Sequence, residues 1–358
     1  MTDTVNLTSP KKETKFKPGV GIDIGTAFIV VVRQQEDGTF VNKFHRNCLF
    51  GMEINDESAD LLERSNYFFI KTNNKYYVCG EDAISLVNAI GKGNIIRPMA
   101  NGLINPALKE SSELLFFIIK AVLGDPIIKD EPLRFSYPAN AVDKDMDNLF
   151  HKTVLQGFFT KIGYSPKPVN EAMCLIYDNA PTSKNDKGEN IPLTGIATSW
   201  GAGQTNTCLA FKGLSLAEFS CTRSGDNIDE QVEKVTGISR SKIVKIKEKS
   251  LDLRNVDSSD RVQSALSIFY DETINRIIHY ISEQFREKSS EVEGELEWIV
   301  AGGTSMPLGF CNRLEEAIKK SNMPFKIYKV RHADQPFYSV GQGACIRAMS
   351  DYARINKA

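Results

Sequence analysis

The sequence lacks any long apolar run. No stretch of the 358 residues reaches the roughly 18 consecutive apolar residues that a membrane-spanning helix requires. Residues 1–18 have no apolar core of the kind found in secretory signals, and they are polar, with lysines at positions 11, 12, 15 and 17. We therefore expect a disordered polar tail over residues 1–18, with no hydrophobic membrane-anchoring helix there and no membrane span in the chain.

An excess of either charge is also absent. The 44 basic and 45 acidic residues give a formal net charge of −1 at pH 7. This balance gives no electrostatic reason to expect direct binding of nucleic acid as an obligate partner. With 41% hydrophobic residues, a chain of this length can form two domains that each have a core.

Cysteine and histidine are sparse and show no metal-binding spacing. The seven cysteines contain no CxxC pair, and the four histidines (positions 45, 151, 279 and 332) contain no HxxxH pair. A structural metal site is therefore not expected. Several cysteines lie within apolar runs, so we expect buried, reduced thiols in a cytoplasmic protein.

Strand and helix patterns alternate along the chain, which favours an α/β fold. Helices are predicted over residues 110–123, 143–161 and 258–287, and another begins at residue 171. Short strands are predicted at 133–138 and 297–301. The polar segment PTSKNDKGENIP (181–192) is rich in turn formers and is predicted to be a surface loop or a linker between two halves.

One arrangement occurs twice: a strand, a glycine loop, a strand, a turn and a third strand. The first copy covers residues 20–45 and the second covers residues 195–221. Two such copies suggest an internal duplication whose halves face a common cleft, although two unrelated hairpins can share this pattern by chance.

Three glycine-rich loops are the segments of the sequence that indicate a ligand-binding function. The first loop is DIGTAF (23–28), the second is SWGAGQT (199–205) and the third is GGTSM (302–306). Glycine lets the backbone approach a phosphate, and the loop N–H groups can donate to its oxygens. Taken singly, the first loop also fits a plain hairpin and the third a tight turn from a strand into a helix, but their order along the chain makes a nucleotide site the stronger interpretation.

At these residues the sequence resembles the actin superfamily of ATPases, which also includes sugar kinases and the seventy-kilodalton heat-shock chaperones. Prokaryotic actins of the MreB and MamK type are the most similar members. GIDIGTAF resembles the first phosphate loop, GIATSWGAGQTNT the second, and VAGGTSMPLGF the adenosine loop. SGDNIDE and IVKIKEK resemble the start of the second outer subdomain and the helix that contacts adenine. The resemblance covers residues 19–350.

The resemblance implies an α/β, actin-like duplicated ATPase fold, with two domains, or four subdomains, flanking a nucleotide cleft. Domain I would cover residues 19–180, with an outer subdomain at about 35–96, and would be completed by residues 330–358. Domain II would cover residues 181–329, with an outer subdomain at about 224–271.

The resemblance also assigns site residues. Asp23 and Glu171 would be catalytic, and a metal would be held by Asp23 through water and weakly by Ser199. Glu171 opens a predicted helix and would orient the attacking water, although a helix start favours an acidic residue in any case. The residues that would bind nucleotide are Gly25, Thr26, Ala27, Gly201, Gly203, Gln204, Thr205, Gly225, Asp226, Lys247, Glu248, Gly302, Gly303, Thr304, Ser305 and Met306.

The second loop departs from the family pattern at one position. Family members usually have an aspartate where this chain has Ser199. A hydroxyl carries no charge and bonds a metal-bound water less strongly than a carboxylate does. The sequence therefore predicts slow hydrolysis with nucleotide binding retained, and it predicts that Ser199→Asp raises turnover.

The implied function is that of a cytoplasmic, cytoskeletal actin-like protein. It would bind ATP or ADP with Mg²⁺, polymerise head to tail with itself, hydrolyse ATP slowly and engage an unknown adaptor or cargo protein. The alternative is an actin-fold scaffold that neither hydrolyses nucleotide nor forms filaments. Lys247 and Glu248 indicate a purine ribonucleotide, with ATP and GTP both open.

Overall fold

The computed structural model of the protein describes residues 17–72, 74–91, 93–179, 188 and 192–355. The predicted tail, except for its last two residues, and nearly all of the predicted linker at 181–192 lie outside the described residues.

Within the described residues, the first half of the chain contains ten strands and five α-helices. In chain order these are β1 (Val20–Ile24), β2 (Phe28–Gln34), β3 (Phe40–Arg46), β4 (Leu49–Glu53), α1 (Asp56–Ser65), β5 (Phe69–Thr72), β6 (Lys75–Cys79), α2 (Gly80–Ile90), β7 (Met99–Ala100), β8 (Leu103–Ile104), α3 (Ser111–Leu123), β9 (Glu131–Tyr137), α4 (Asn148–Lys161), β10 (Tyr164–Asn170) and α5 (Glu171–Asn179).

Five strands and four α-helices are described in the second half, and a last helix follows them. In chain order these are β11 (Gly195–Trp200), β12 (Thr205–Phe211), β13 (Leu214–Cys221), α6 (Gly225–Thr236), α7 (Arg240–Lys249), α8 (Arg261–Gln284), β14 (Glu295–Ala301), α9 (Phe310–Lys320), β15 (Lys326–His332) and α10 (Ser339–Ile355).

The two main sheets have the same strand order, which confirms the predicted duplication. The first sheet has the order β10-β9-β1-β2-β3 and the second has the order β15-β14-β11-β12-β13. In each sheet, three antiparallel strands from one copy of the repeat are followed on one side by two parallel strands. The glycine loop of each copy therefore lies at the carboxyl end of the central strand, where the parallel neighbour also ends.

The halves meet through α5 and α10. A core cluster joins residues of α5, β11, β12, β14 and α10, and α10 also packs against β1 and β9. The two helices touch backbone to backbone, because a Cβ on Gly343 would overlap the carbonyl of Cys174. β15 pairs with β14 as far as His332, and α10 follows from Ser339.

Smaller elements extend the first half away from the main sheet. A three-stranded sheet of order β4-β6-β5 lies with α1 and α2, and β7 and β8 form a short hairpin. The turn of this hairpin, at Asn101 and Gly102, reaches back to the first loop, where the Gly102 N–H donates to Thr26 Oγ1 over 3.0 Å.

Helices α4 and α8 begin later than their sequence patterns predict. The helix predicted from residue 143 starts at Asn148, because Asp147 caps it by accepting from the Phe150 N–H over 2.9 Å, while the Val142 N–H pairs with Ser220 of the second half. The helix predicted from residue 258 starts at Arg261, because Asp260 caps it by accepting from the Val262 N–H over 2.8 Å. After the third loop, one 3-10 turn over Gly303–Ser305 precedes α9, which starts at Phe310.

Candidate functional site

The three glycine loops meet where the two sheets face each other. Thr304 of the third loop donates from Oγ1 to the carbonyl of Gly201 in the second loop over 2.7 Å. A Cβ on Gly203 of the second loop would overlap Thr26 Oγ1 of the first loop. Residues separated by more than a hundred positions in sequence therefore form one contiguous backbone surface at the junction of the halves.

The first and second loops share one local geometry. The Gly25 N–H donates to the Phe28 carbonyl over 2.9 Å, and the Gly201 N–H donates to the Gln204 carbonyl over 3.0 Å. The first loop has an additional support from Asn47, whose Nδ2 donates to the Gly25 carbonyl over 2.9 Å. Asn47 is fully buried and was missed in the sequence, since it lies beyond the loop and after β3.

The two predicted catalytic carboxylates lie beneath these loops. Asp23 Oδ1 accepts from Ser136 Oγ over 2.7 Å. Burial raises the pKa of Asp23 to about 6, against the opposing effect of the Ser136 hydrogen bond. Burial, and then the charge of Asp23, raise the pKa of Glu171 to about 8. The two groups are thus close enough to interact electrostatically.

Glu171 is held by the protein on both oxygens. Ser199 Oγ donates to Oε1 over 2.7 Å, and Asn206 Nδ2 donates to Oε2 over 2.9 Å. The Asn206 side chain is itself fixed, because its Oδ1 accepts from the Ala139 N–H over 3.1 Å. Ser199 therefore orients the carboxylate directly. Asn206, which follows the second loop along the chain, was missed because it has no glycine-loop signature.

Two of the predicted nucleotide-binding residues form ion pairs across the junction. Asp226, in the first turn of α6, accepts from Arg97 of the first half over 2.7 Å. Glu248, in α7, accepts from Arg46 at the end of β3 over 3.1 Å. Neither arginine was identified in the sequence, because nothing local marks a residue whose partner lies on the other half.

Lys247 also has a partner that the sequence did not reveal. Its Nζ donates to Asp229 Oδ2 over 2.7 Å and to the Gly225 carbonyl over 3.2 Å. Asp229 is buried, and burial raises its pKa although Lys247 opposes that effect. The ammonium group is thus fixed between α6 and α7, next to Gly225, the glycine of the SGDNIDE segment.

The two glycines of the third loop have different environments. Gly302 has φ of 91°, and a Cβ there would overlap the backbone of Trp200. A Cβ on Gly303 would meet no described atom within 4 Å. The open side of the third loop is therefore at Gly303. Trp200 is fully buried against Phe310, with ring centroids 5.0 Å apart, and serves packing.

A divalent cation fits this site only with most of its ligands supplied from outside the protein. Among the described residues, no three His, Cys, Asp or Glu side chains lie together as a metal-binding group. Asp23 and Glu171 offer carboxylate oxygens, the donors that Mg²⁺ prefers. Because Asp23 raises the pKa of Glu171, a cation near the pair would stabilise both ionised forms. Water and phosphate oxygens would complete the coordination.

Two matched sheets, with three glycine loops meeting between them, define the actin-like class of proteins, and solved structures agree. A structure described as a MamK double helical filament is 15% identical, with a TM-score of 0.65 over 95% of this chain and 98% of that one. MreB 5 of Spiroplasma citri bound to AMPPNP is 14% identical, with a TM-score of 0.67 over 97% and 99%. The same protein bound to ADP is 15% identical, with a TM-score of 0.66 over 97% and 100%.

A family model described as Volactin matches residues 19–348, so the chain belongs to the Volactin family. A search of curated proteins gives no match. The predicted actin-like fold and the resemblance to prokaryotic actins are therefore confirmed. In the described part of the chain, no helix combines the length and apolarity needed to cross a bilayer.

Proposed function

We propose that this protein is a cytoplasmic, cytoskeletal actin-like protein that binds ATP with Mg²⁺ between its two halves and polymerises head to tail into filaments, with slow hydrolysis. One observation supports the proposal most strongly: the three glycine loops meet beside the carboxylates of Asp23 and Glu171 at the junction of the two halves. The structures of similar fold add support, since one is a double helical filament and another was bound to AMPPNP and to ADP.

Each loop would hold a different part of the nucleotide. The N–H groups of the first and second loops, with Thr26, would bind the phosphates. The third loop would contact the adenosine, with Gly303 on its open side and Lys247 beside it. The nearby ion pairs Arg97–Asp226 and Arg46–Glu248 would hold the two halves together around the ligand.

Slow hydrolysis would follow from the absence of the family's carboxylate at Ser199, because a hydroxyl bonds a metal-bound water less strongly. Burial and the charge of Asp23 raise the pKa of Glu171, and a bound cation would oppose that shift and favour the ionised carboxylate of Glu171. Ser199 and Asn206 keep this carboxylate oriented for the reaction. Asp23 would hold Mg²⁺ through water, and the bound ion would supply neutralisation of phosphate charge.

Assembly would use the outer parts of both halves. We propose the domain limits given above, with outer subdomains at about 35–96 and 224–271, and a head-to-tail contact that repeats without closing into a ring. Nucleotide would bias the angle between the halves and so the strength of that contact. An adaptor or cargo protein would bind the filament.

A scaffold that binds nucleotide without hydrolysis or filaments is the second candidate. It is favoured by Ser199, since the hydroxyl that replaces the family's aspartate is committed to Glu171. In that case nucleotide would act only as a ligand that fixes the angle between the halves.

Nucleotide binding is tested first with a matched pair of glycine variants. Gly303→Leu places a side chain on the open side of the third loop, and we expect it to weaken binding of a fluorescent ATP analogue about 100-fold, or about 2.8 kcal/mol. Gly157→Leu, on the exposed face of α4, is the control because its Cβ also meets no described atom, and it should bind like the wild type. Equal binding by both variants would remove the third loop from the site.

Filament formation is then measured by pelleting and electron microscopy with ATP, AMPPNP or no nucleotide, with phosphate release followed in the same samples. We expect pelleting with ATP and with AMPPNP, and slow phosphate release with ATP. Binding without pelleting or release would favour the scaffold, and release without filaments would contradict the cytoskeletal proposal.

A further inference from the structure

Three hydrogen-bonded groups, a thiol, an imidazole and a backbone carbonyl, support the third loop. Cys311, in the first turn of α9, has its Sγ 3.3 Å from Nδ1 of His332 at the end of β15. The other ring nitrogen of His332, Nε2, lies 2.8 Å from the carbonyl oxygen of Ser305 in the third loop. None of the three residues is adjacent to another in sequence, and neither Cys311 nor His332 has a role in the site described above.

The chemistry of the three groups fixes the direction of the hydrogen bonds. A carbonyl oxygen only accepts, so Nε2 of His332 must carry a proton and donate to Ser305. In the neutral imidazole, Nδ1 is then an acceptor, and the Cys311 thiol donates to it. Burial raises the pKa of the Cys311 thiol to about 11, so the thiol keeps its proton at neutral pH.

This series of hydrogen bonds ends at the Ser305 carbonyl, in the part of the third loop that the main sheet does not hold. The Gly302 N–H donates to the Pro336 carbonyl over 3.0 Å, which fixes the entrance of the loop. The Ser305 carbonyl, at the exit of its single 3-10 turn, is bonded by His332. Met306 follows directly and is half exposed. The Ser305 N–H and hydroxyl both donate to the Gly302 carbonyl within the turn, and the imidazole is the contact that ties the exit to β15.

We propose that His332 and Cys311 are positioning residues for the adenosine end of the bound nucleotide, and that Cys311 is the thiol through which covalent modification weakens nucleotide binding. This inference rests on the proposed function of the third loop. Six of the seven cysteines are buried, and Cys311 alone is partly exposed, so a small reagent reaches it first. In exchange with a small disulfide or thiosulfonate, the thiol proton goes to solvent, the sulfur–sulfur bond of the reagent breaks with release of its leaving group, and a new S–S bond forms at Cys311. The attached group takes the place of the thiol proton and crowds the imidazole, which releases the Ser305 carbonyl.

Paired substitutions at His332 and Cys311 distinguish a role in positioning the third loop from a role in the stability of the fold. His332→Gln keeps an amide N–H that can reach the Ser305 carbonyl, whereas His332→Leu has none. Cys311→Ser keeps a donor for Nδ1, whereas Cys311→Ala has none. The readouts are the Kd for a fluorescent ATP analogue, the rate of phosphate release at saturating ATP, and the melting temperature.

We expect His332→Leu to weaken nucleotide binding about tenfold and Cys311→Ala to weaken it about threefold. His332→Gln and Cys311→Ser should each bind nucleotide within about twofold of the wild-type affinity. Release at saturating ATP should stay within about twofold, because the first and second loops hold the phosphates. Equal losses in Gln and Leu, or loss of affinity only in step with melting temperature, would reduce His332 to a structural residue and overturn the inference.

Conversion of Cys311 to a mixed disulfide in the folded wild type provides the second measurement. With methyl methanethiosulfonate, the Cys311 sulfur loses its proton to solvent and attacks the thiomethyl sulfur, so that a new S–S bond forms and methanesulfinate leaves. When mass spectrometry shows Cys311 fully modified, nucleotide binding should be about tenfold weaker, while the same treatment leaves Cys311→Ser unchanged. Unaltered affinity of the modified wild type would overturn the inference with the proposed function intact. Absence of nucleotide binding by the untreated wild type would instead defeat the proposed function, and this inference with it.

Discussion

At the scale of single residues, the position of Ser199 decides how this site differs from its family pattern. Its hydroxyl is buried and donates to Glu171 over 2.7 Å, while Asn206 holds the other carboxylate oxygen. An aspartate at this position would therefore put a second carboxylate against Glu171, with Asp23 already nearby. The sequence alone did not reveal this contact, and the contact changes what the substitution should do.

We predict that Ser199→Asp makes the stability of the protein depend on Mg²⁺. Without the ion, the added charge beside Glu171 should lower the free energy of unfolding by about 2 kcal/mol, because like charges are buried together. With millimolar Mg²⁺, part of that loss should return. Thermal melting with EDTA or Mg²⁺ measures both.

Ser199→Ala is the control, since it removes the hydrogen bond without adding charge, and it should show no such dependence on Mg²⁺. Faster hydrolysis of Ser199→Asp, as the sequence predicts, is then expected only in the presence of the ion. A variant as stable as the wild type in EDTA would show that Glu171 and the new carboxylate do not meet.

At the scale of secondary-structure elements, α4 depends on a histidine that must remain neutral. His151 is buried on the inner face of α4, and its Nδ1 accepts from the Ile104 N–H of β8 over 3.2 Å. Burial lowers the pKa of His151 to about 4. The packing of α4 against the hairpin of β7 and β8, whose turn touches the first loop, is therefore coupled to pH.

We predict that His151 alone contributes a loss of about 2 kcal/mol of stability between pH 7.5 and pH 5, seen as the difference between the wild type and a variant without this imidazole. The difference is needed because Asp23 and Glu171, whose pKa values are raised, change stability in the opposite direction. The pKa of His151 is lower in the folded state than in the unfolded state. The contribution of His151 to the free energy of unfolding is therefore complete above about pH 6.5 and is lost as the pH falls toward 4. Chemical denaturation at several pH values measures the slope.

His151→Asn keeps an acceptor near the Ile104 N–H but does not titrate, so between pH 7.5 and pH 5 the wild type should lose about 2 kcal/mol relative to this variant. His279→Asn is the matched control, because His279 is exposed and pairs with Glu283 on the surface of α8. It should follow the wild type. Identical pH profiles for the wild type and His151→Asn would contradict the assignment.

At the scale of the whole molecule, two ion pairs connect the halves beside the site. Arg97–Asp226 and Arg46–Glu248 both join an arginine of the first half to an acidic residue of the second. The contact of α5 with α10 also joins the halves, and these ion pairs add connections beside the residues proposed to bind nucleotide. They should therefore influence how fast a bound nucleotide leaves.

We predict that Arg97→Met increases the dissociation rate of a fluorescent nucleotide about fivefold, equal to about 1 kcal/mol, because both partners are only partly exposed. Stopped-flow displacement measures the rate. A double-mutant cycle with Asp226→Asn should give a coupling energy of about the same size. Additive effects in the cycle would mean that the pair contributes nothing to closure.

Much of the fold was predictable from the sequence. The alternation of strands and helices, the repeat over residues 20–45 and 195–221, and the three glycine loops are local patterns, because a tight loop between apolar strands demands particular residues wherever the chain folds. The sheets and the meeting of the loops confirm them. The boundaries that were missed, such as the start of α4 at Asn148, depend on caps and on pairing with the other half.

What the sequence by itself determined was the class of fold and the loops that define the site. The tertiary structure alone decided the partners: Ser199 with Glu171, Arg97 with Asp226, and Cys311 with His332 and Ser305. The physical reason is one of distance along the chain. A glycine loop is specified by its own few residues, whereas each of these contacts joins separate elements whose docking depends on the packing of the whole core.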